Sequence, residues 1–227
     1  MNLIGQIISG YTVQKEIGKG GMGVVYLAKN KVINKEVAIK AIYPRFGADK
    51  EVQKRFEREA RVHSMLRKHP KLVELINYIV EDGNSYILME YFSSRPLSEV
   101  IGKETGPMPY KRAVPIFHQM LDGLGHAHKK ELIHRDIKPS NILINTDNND
   151  ELKITDFGIA IPKKPSDDFK ITKFGEIAGS AAYMSPEQHK ALDVDERSDI
   201  YSLGITFYET LSGRLPFTQK SKYDLQQ

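Results

Sequence analysis

The sequence predicts an α+β protein in which a small antiparallel sheet with one key helix comes first and a larger, mainly helical part follows. Three observations carry that expectation. Apolar residues alternate on either side of a glycine-rich segment and again in Val37-Ala38-Ile39-Lys40, the period-two pattern of half-buried strands. A single early segment, roughly Lys50 to Leu66, carries Val52, Phe56, Glu59, His63 and Leu66 at helical spacing. Later the period changes. Ala113, Ile116, Phe117, Met120, Leu121 and Leu124 mark a stripe with helical period, and residues 193–211 give another.

The glycine segment reads Ile17-Gly18-Lys19-Gly20-Gly21-Met22-Gly23-Val24-Val25-Tyr26, with Gly18, Gly20 and Gly23 in a Gly-x-Gly-x-x-Gly pattern. Tyr11, Val13 and Ile17 precede it and Val25 and Leu27 follow, so a strand comes next rather than the helix that a dinucleotide-binding turn requires. No Gly-Lys-Ser/Thr is present, which excludes a P-loop. What remains is a glycine hairpin whose backbone can approach phosphates because no side chains intervene. In the strand that follows, Ala38 and Lys40 share a face, and a small residue beside a cation suits an adenine ring next to its α- and β-phosphates. Lys40 alone would read as well as a snorkelling edge lysine. Glu59 changes the balance, because it lies in the buried stripe of its helix. An inward carboxylate is costly unless a cation meets it, and Lys40 is the obvious partner. The Asp82-Gly83-Asn84 turn and the short apolar run Tyr86 to Phe92 complete a hairpin ending in a linker.

The helix at 113–124 delivers the run His134-Arg135-Asp136-Ile137-Lys138-Pro139-Ser140-Asn141. Two short strands, 141–144 and 152–155, flank the polar loop 145–150, and Asp156-Phe157-Gly158 follows. Asp and Asn are common turn formers, so each of these residues taken singly has a plain structural reading. Together they make a site for Mg²⁺ and a nucleotide phosphate: the cation prefers oxygen ligands and keeps several waters, so the Asp156 carboxylate and the Asn141 amide oxygen suffice beside phosphates. Asp136 is then left to orient an acceptor hydroxyl and take its proton, and Lys138 can hold the γ-phosphate as a point charge. Residues 159–183 are long, polar and rich in hydroxyls, the signature of a mobile segment.

At this point the chain resembles the protein kinase superfamily, from about Tyr11 to about Phe217, with the motifs in family order: the glycine loop, Val-Ala-Ile-Lys at Lys40, the helix glutamate Glu59, the catalytic loop of Asp136, Lys138 and Asn141, Asp-Phe-Gly at Asp156, Ser185-Pro186-Glu187, and the run Arg197 to Gly204. No single motif is decisive, but the ordered set is very specific. The Gly-Gly-Met-Gly loop, Met184 to Gln188 and Gly213-Arg214-Leu215-Pro216-Phe217 look most like the bacterial eukaryotic-like serine/threonine kinases. The resemblance implies a two-lobed kinase fold, with residues 1–91 as an ATP-binding lobe and 92–227 as a catalytic and substrate lobe. It implies nucleotide contacts from Ile17, Gly18, Gly20, Gly23, Val25, Ala38, Lys40, Met89 as gatekeeper, Glu90 and Phe92 of the hinge, and Leu143. It also implies ATP with Mg²⁺, Mn²⁺ being a substitute, metal ligation by Asn141 and Asp156, and catalysis by Asp136, Lys138, Lys40 and Glu59. Lys138 and Ser180 match the serine/threonine-directed pattern, so the implied partners are protein substrates with such hydroxyls, together with a second copy of the chain for trans-autophosphorylation.

Composition agrees with this reading without producing it. At 227 residues and 40% hydrophobic, the chain is long enough for a substantial core. A net charge of +4 with no basic run interleaved with aromatics gives no nucleic-acid signature. The absence of cysteine excludes disulfides and thiolate metal sites and is compatible with a reducing compartment. Residues 1–6 lack the basic start and apolar run of a signal peptide, and no stretch approaches a membrane span; a cytoplasmic location is expected, with any membrane anchor lying beyond this chain. His126 and His128, two apart on a helix, do not share a face and so do not form a metal pair.

Two functions from different classes follow: an active phosphotransferase, or a pseudokinase scaffold or inactive fragment that binds without turnover. Pseudokinases typically lack one of the residues named above, and all are present here. Further expectations concern departures and regulation. His63 lies one turn past Glu59, where the family usually stacks an apolar side chain on Phe157 and His134; it reads as a tolerated substitution with the ring still packed or, more sharply, as a polar ring that weakens the active state. Arg135 is expected to bind a phosphate on the segment 159–183, with Thr172 as the first acceptor and Ser166 and Ser180 behind it. Glu187 normally pairs with an arginine further along, and none follows Arg214. The chain is therefore expected to be a truncated catalytic domain, or one covered by another subunit, with apolar faces exposed on the helices at 113–124 and 200–211; the alternative is a naturally minimal kinase that has repacked this base.

Overall fold

The computed structural model describes residues 2–20, 23–43, 50–66, 68–81, 83–157, 161–162 and 181–217. The chain packs as two units, Met1–Arg67 with Val73–Phe92, and Lys68–Leu72 with Ser93–Gln227. The short stretch 68–72, which the sequence places with the first part, belongs to the second.

The first unit is built on one antiparallel sheet. Its strands are β1 (Ile7–Ile8), β2 (Tyr11–Lys19), β3 (Gly23–Asn30), β4 (Lys35–Ile42), β5 (Leu75–Glu81) and β6 (Asn84–Glu90), in the order β1-β2-β3-β4-β6-β5. The alternation read from the sequence decides which side chains go where. Val24, Tyr26 and Ala28 of β3, Val37, Ile39 and Ala41 of β4, and Tyr86 and Leu88 of β6 bury one face into the unit's apolar core. The intervening residues Val25, Leu27, Ala38, Lys40, Ile87 and Met89 therefore occupy the other face. The helix α1 (Lys50–Met65) buries Phe56, Glu59, Ala60, Val62 and His63, a stripe at helical spacing that includes the expected carboxylate. Gly83 at φ +74° makes the β5–β6 turn where the sequence puts one.

In the second unit, β7 (Arg95–Pro96) leads into α2 (Leu97–Glu99), which continues as a π-helical stretch, Val100–Thr105. The long helix α3 (Tyr110–Lys129) follows, then β8 (Leu132–Ile133), β9 (Ile142–Asn145) and β10 (Glu151–Ile154). β11 (Ile161–Pro162) pairs with β8, so the polar segment begins with a strand. The chain then forms α4 (Pro186–His189) and α5 (Glu196–Ser212). The Asp195 side chain caps α5 by accepting from the Arg197 amide, and Gly213 ends it at φ +71°, a left-handed conformation that glycine adopts without penalty. Helix α3 buries Ala113, Ile116, Phe117, Met120 and Leu124. Leu121 departs from its expected core position: it is 46% exposed, because it sits a hundred degrees round the helix from Met120. With Val114, Phe117, Ile200, Leu203 and Phe207 it lines an open apolar groove of about 310 Å³ between α3 and α5.

Candidate active site

Within the first unit, strand register brings several of the predicted residues together. Val25 lies opposite Lys40, Leu27 opposite Ala38, and Ala38 opposite Met89, so three neighbouring strands put Val25, Ala38, Lys40 and Met89 on one face. Gly18 pairs with Val25, and Ile17 beside it sits at a bulge in β2, 40% exposed. From α1 the buried Glu59 meets this face: Lys40 Nζ lies 2.5 Å from Glu59 Oε1, with both side chains largely shielded. The desolvated carboxylate thus has the cation that burial demands. At the end of β6 the Glu90 amide donates to the Glu74 carbonyl at 2.9 Å, so the group this residue's backbone can offer a ring amine is its carbonyl, as acceptor.

The three described loop glycines, Gly18, Gly20 and Gly23, are not equivalent. A Cβ on Gly23 would stand 2.1 Å from the Ala41 carbonyl oxygen, so the β3–β4 pairing itself requires glycine there. At Gly18 and Gly20 a Cβ would meet nothing closer than 3.8 Å. Among the described loop glycines these two have no packing reason to be glycine, and the freedom of backbone approach inferred from the sequence rests on them.

Within the second unit, a further set gathers around the base of the β9–β10 hairpin. Ile142 pairs with Ile154, and one step below, the Thr155 amide donates to the Asn141 carbonyl at 3.0 Å. That extra rung brings Asn141 next to the residue preceding Asp156. Asp136 is reached from the other side: Asn141 Nδ2 donates to its backbone carbonyl at 2.9 Å and to its Oδ2 at 3.0 Å, and Lys138 Nζ donates to the same oxygen at 2.7 Å. Both side-chain bonds fall on Oδ2, so Oδ1 is the oxygen they leave for another donor. The Asn141 nitrogen is committed to Asp136, so its Oδ1 is the atom that can face a cation.

His134 has a defined tautomer. Its Nδ1 accepts from the Asp136 amide at 3.2 Å, while Nε2 lies 3.0 Å from the Thr155 carbonyl, an acceptor only. The proton must be on Nε2. The ring also packs against Phe157, centroids 4.5 Å apart.

Sequence reasoning missed the group that anchors this loop. Asp199, fully buried in α5, accepts from the His134 amide at 2.9 Å, the Arg135 amide at 2.8 Å and His128 Nε2 at 2.7 Å. Gln188 Nε2 donates to the Arg135 carbonyl at 2.9 Å. Arg135 has φ +67°, a left-handed conformation that strains a side-chain-bearing residue, and these bonds to both its backbone groups hold it there. The signal was available: Asp199, Ser202, Leu203 and Thr206 share the buried face of α5, an inward carboxylate like Glu59.

The Arg135 side chain is buried too, and among the described residues its Nε and Nη1 have no hydrogen-bond partner. Burial pushes its guanidinium below the ordinary value, partly offset by the charge of Asp199. Glu187, expected to lack its arginine, is held instead by the Ser198 hydroxyl, which donates to Oε1. Burial pushes its carboxyl up, but hydrogen bonds from Ser198, its own backbone and Ser185 outweigh this and keep it below the usual value. The His63 ring is packed, buried with Nε2 2.5 Å from the Val73 carbonyl. Leu143 is half-buried on β9 between Pro96 and Lys153. Thr172, Ser166 and Ser180 lie outside the described residues. Among the described residues no group of three or more His, Cys, Asp or Glu forms a metal site.

A family model described as protein kinase domain matches residues 11–227. The serine/threonine-protein kinase PrkC of Bacillus subtilis is 42% identical over 220 residues, 96% of this chain and 33% of that protein. The serine/threonine-protein kinase PknA of Mycobacterium tuberculosis is 38% identical, over 94% of this chain and 49% of its own length, so the chain spans a third to a half of these two relatives. The crystal structure of the Mycobacterium tuberculosis PknI kinase domain superposes with a TM-score of 0.72 at 28% identity, covering 97% of this chain and 81% of that one. With the family match running to residue 227 and kinase relatives at this identity across nearly all of it, the chain belongs to the protein kinase domain family.

Proposed function

We propose that the chain is a catalytic domain that transfers the γ-phosphoryl group of ATP to serine and threonine hydroxyls of proteins. The observation that carries this is the Asp136 carboxylate, whose Oδ2 is held by Lys138 and Asn141 while Oδ1 is left to accept a proton. Phosphoryl transfer asks little covalent help of a protein; it asks for positioning and charge. Oδ1 of Asp136 orients the acceptor hydroxyl and takes its proton, and Lys138, bonded to that carboxylate, meets the transferred phosphoryl group. Lys40, held by Glu59, neutralises the α- and β-phosphates, and Ile17, Val25, Ala38, Met89 and Leu143 supply apolar contacts for the adenine ring. Gly18 and Gly20 let backbone amides approach the phosphates, and Glu90 and Phe92 hold the ring edge. The chemistry of the donors fits a hard cation: Asp156 and the Asn141 amide oxygen would hold Mg²⁺, or Mn²⁺ in its place. When bound, that ion supplies charge neutralisation at the phosphates.

Residues 1–91 then serve mainly the nucleotide and 92–227 the acceptor protein, with a second copy of the chain as one acceptor. No described helix is long and apolar enough to cross a membrane, and we place this domain in the cytoplasm, where ATP is. Incubation with labelled ATP, Mg²⁺ and a basic protein, followed by phosphoamino-acid analysis, tests the proposal. Phosphoserine and phosphothreonine are expected; label found only on tyrosine, or none transferred, would contradict it.

A further inference from the structure

The ends of the first unit's half-site are joined by a short path of hydrogen bonds, and His63 is its middle step. His63 lies one helical turn beyond Glu59 on α1 and is 4% exposed. Its Nε2 lies 2.5 Å from the carbonyl of Val73, itself buried. A carbonyl only accepts, so Nε2 carries the proton and donates. The next residue, Glu74, exchanges two bonds with Glu90: its amide donates to Glu90 Oε1 at 2.8 Å, and its carbonyl accepts from the Glu90 amide at 2.9 Å. Glu90 in turn pairs with Val37 on β4, the strand that carries Lys40. The path therefore closes, from Lys40 to Glu59, along α1 to His63, across to Val73 and Glu74, on to Glu90, and back through β4.

We propose that His63 is a positioning residue that fixes α1 against the segment before β5, so that Glu59 stays on Lys40 and the pair is coupled to the strand end at Glu90. This rests on the phosphotransferase reading above. A leucine at 63 would fill the buried stripe but leave the Val73 carbonyl without this donor, which a buried acceptor tolerates poorly. The direction is opposite to the sharper of the two sequence-based readings: the polar ring strengthens the arrangement instead of loosening it.

The test uses the whole 227-residue chain with ADP and ATP as probes. His63→Leu should weaken ADP binding and raise KM for ATP by about tenfold, the effect of one lost buried hydrogen bond. His63→Gln, which keeps a donor of similar reach, should recover most of it. In a Glu59→Gln background, His63→Leu should add little further loss of ADP affinity, because its effect runs through the same pair. If His63→Leu does not fold, His63→Gln is compared with the shorter His63→Asn, and only Gln should bind ADP like the wild type. Wild-type ADP affinity and KM in His63→Leu or His63→Asn, or additive losses in the double variant, would overturn the inference while leaving the function intact. A wild-type chain that binds no ADP would overturn both.

Discussion

Replacing Asp199 with asparagine should loosen the loop that carries Asp136 without changing its shape. The wild-type carboxylate accepts three hydrogen bonds in a fully buried setting, two of them from consecutive backbone amides. An amide in its place has one acceptor oxygen. If that oxygen serves His134 and His128, the NH₂ group faces the Arg135 amide, donor against donor. One buried backbone donor left unpaired costs about 1–3 kcal/mol, and changing the other two bonds from charged to neutral acceptors adds about 1 kcal/mol, so roughly 2–4 kcal/mol of stability should be lost. The left-handed backbone at Arg135 would keep only its bond from Gln188, and Asp136 follows directly. Urea unfolding and steady-state kcat on the same preparations measure both effects. Asp199→Asn within about 0.5 kcal/mol of wild type, the range of an ordinary surface change, and with unaltered kcat, would refute the anchoring role.

Gly23→Ala should cost about 1–3 kcal/mol, because its Cβ would fall 2.1 Å from the Ala41 carbonyl, whereas Gly20→Ala, with nothing closer than 3.9 Å, should leave the melting temperature nearly unchanged; equal melting temperatures would contradict the distinction. Glu187 has a depressed folded-state value, so its contribution to stability is present above the ordinary carboxylate range and lost as pH falls through that depressed value. Ser198→Ala removes the largest lowering influence, so the variant should already be less stable near neutral pH and should lose less further stability than wild type on acidification; melting curves of both proteins from about pH 7 downward check this, and an equal or larger acid-dependent loss in the variant would contradict it. The buried guanidinium of Arg135, with Nε and Nη1 unpartnered among the described residues, suits a phosphate on Thr172; peptide mapping after incubation with ATP should find it in wild type and not in Lys40→Met, and an unmodified Thr172 peptide in active protein would rule it out.

Much of the site was legible because its residues obey short periods. Strand alternation alone puts Ala38 and Lys40 on one face, and helical spacing alone turns Glu59 inward, so their pairing could be inferred before any fold was seen. Asp136, Asn141 and Asp156 were legible for a different reason, since a five-residue spacing and a short hairpin leave little freedom in where they end up. Helical spacing turns Asp199 inward, but its anchoring role was not legible, because its donors lie more than sixty positions earlier and no local pattern says which groups it meets. The bond His63 makes was not legible either: its acceptor is a backbone carbonyl, which every residue carries. Leu121 shows the limit of periodicity, which marks the centre of a buried stripe but not how wide an arc the neighbouring helices cover.

The most direct measurement of the central claim is the rate of phosphate transfer from ATP to a protein hydroxyl by wild type and by Asp136→Asn, made alongside nucleotide binding by each. If Asp136 accepts the hydroxyl proton through the oxygen that Lys138 and Asn141 leave open, the variant should bind ATP as wild type does while its rate falls by roughly 10²–10⁴-fold. Equal transfer rates in the two proteins, or a wild type that binds ATP and transfers nothing, would contradict it.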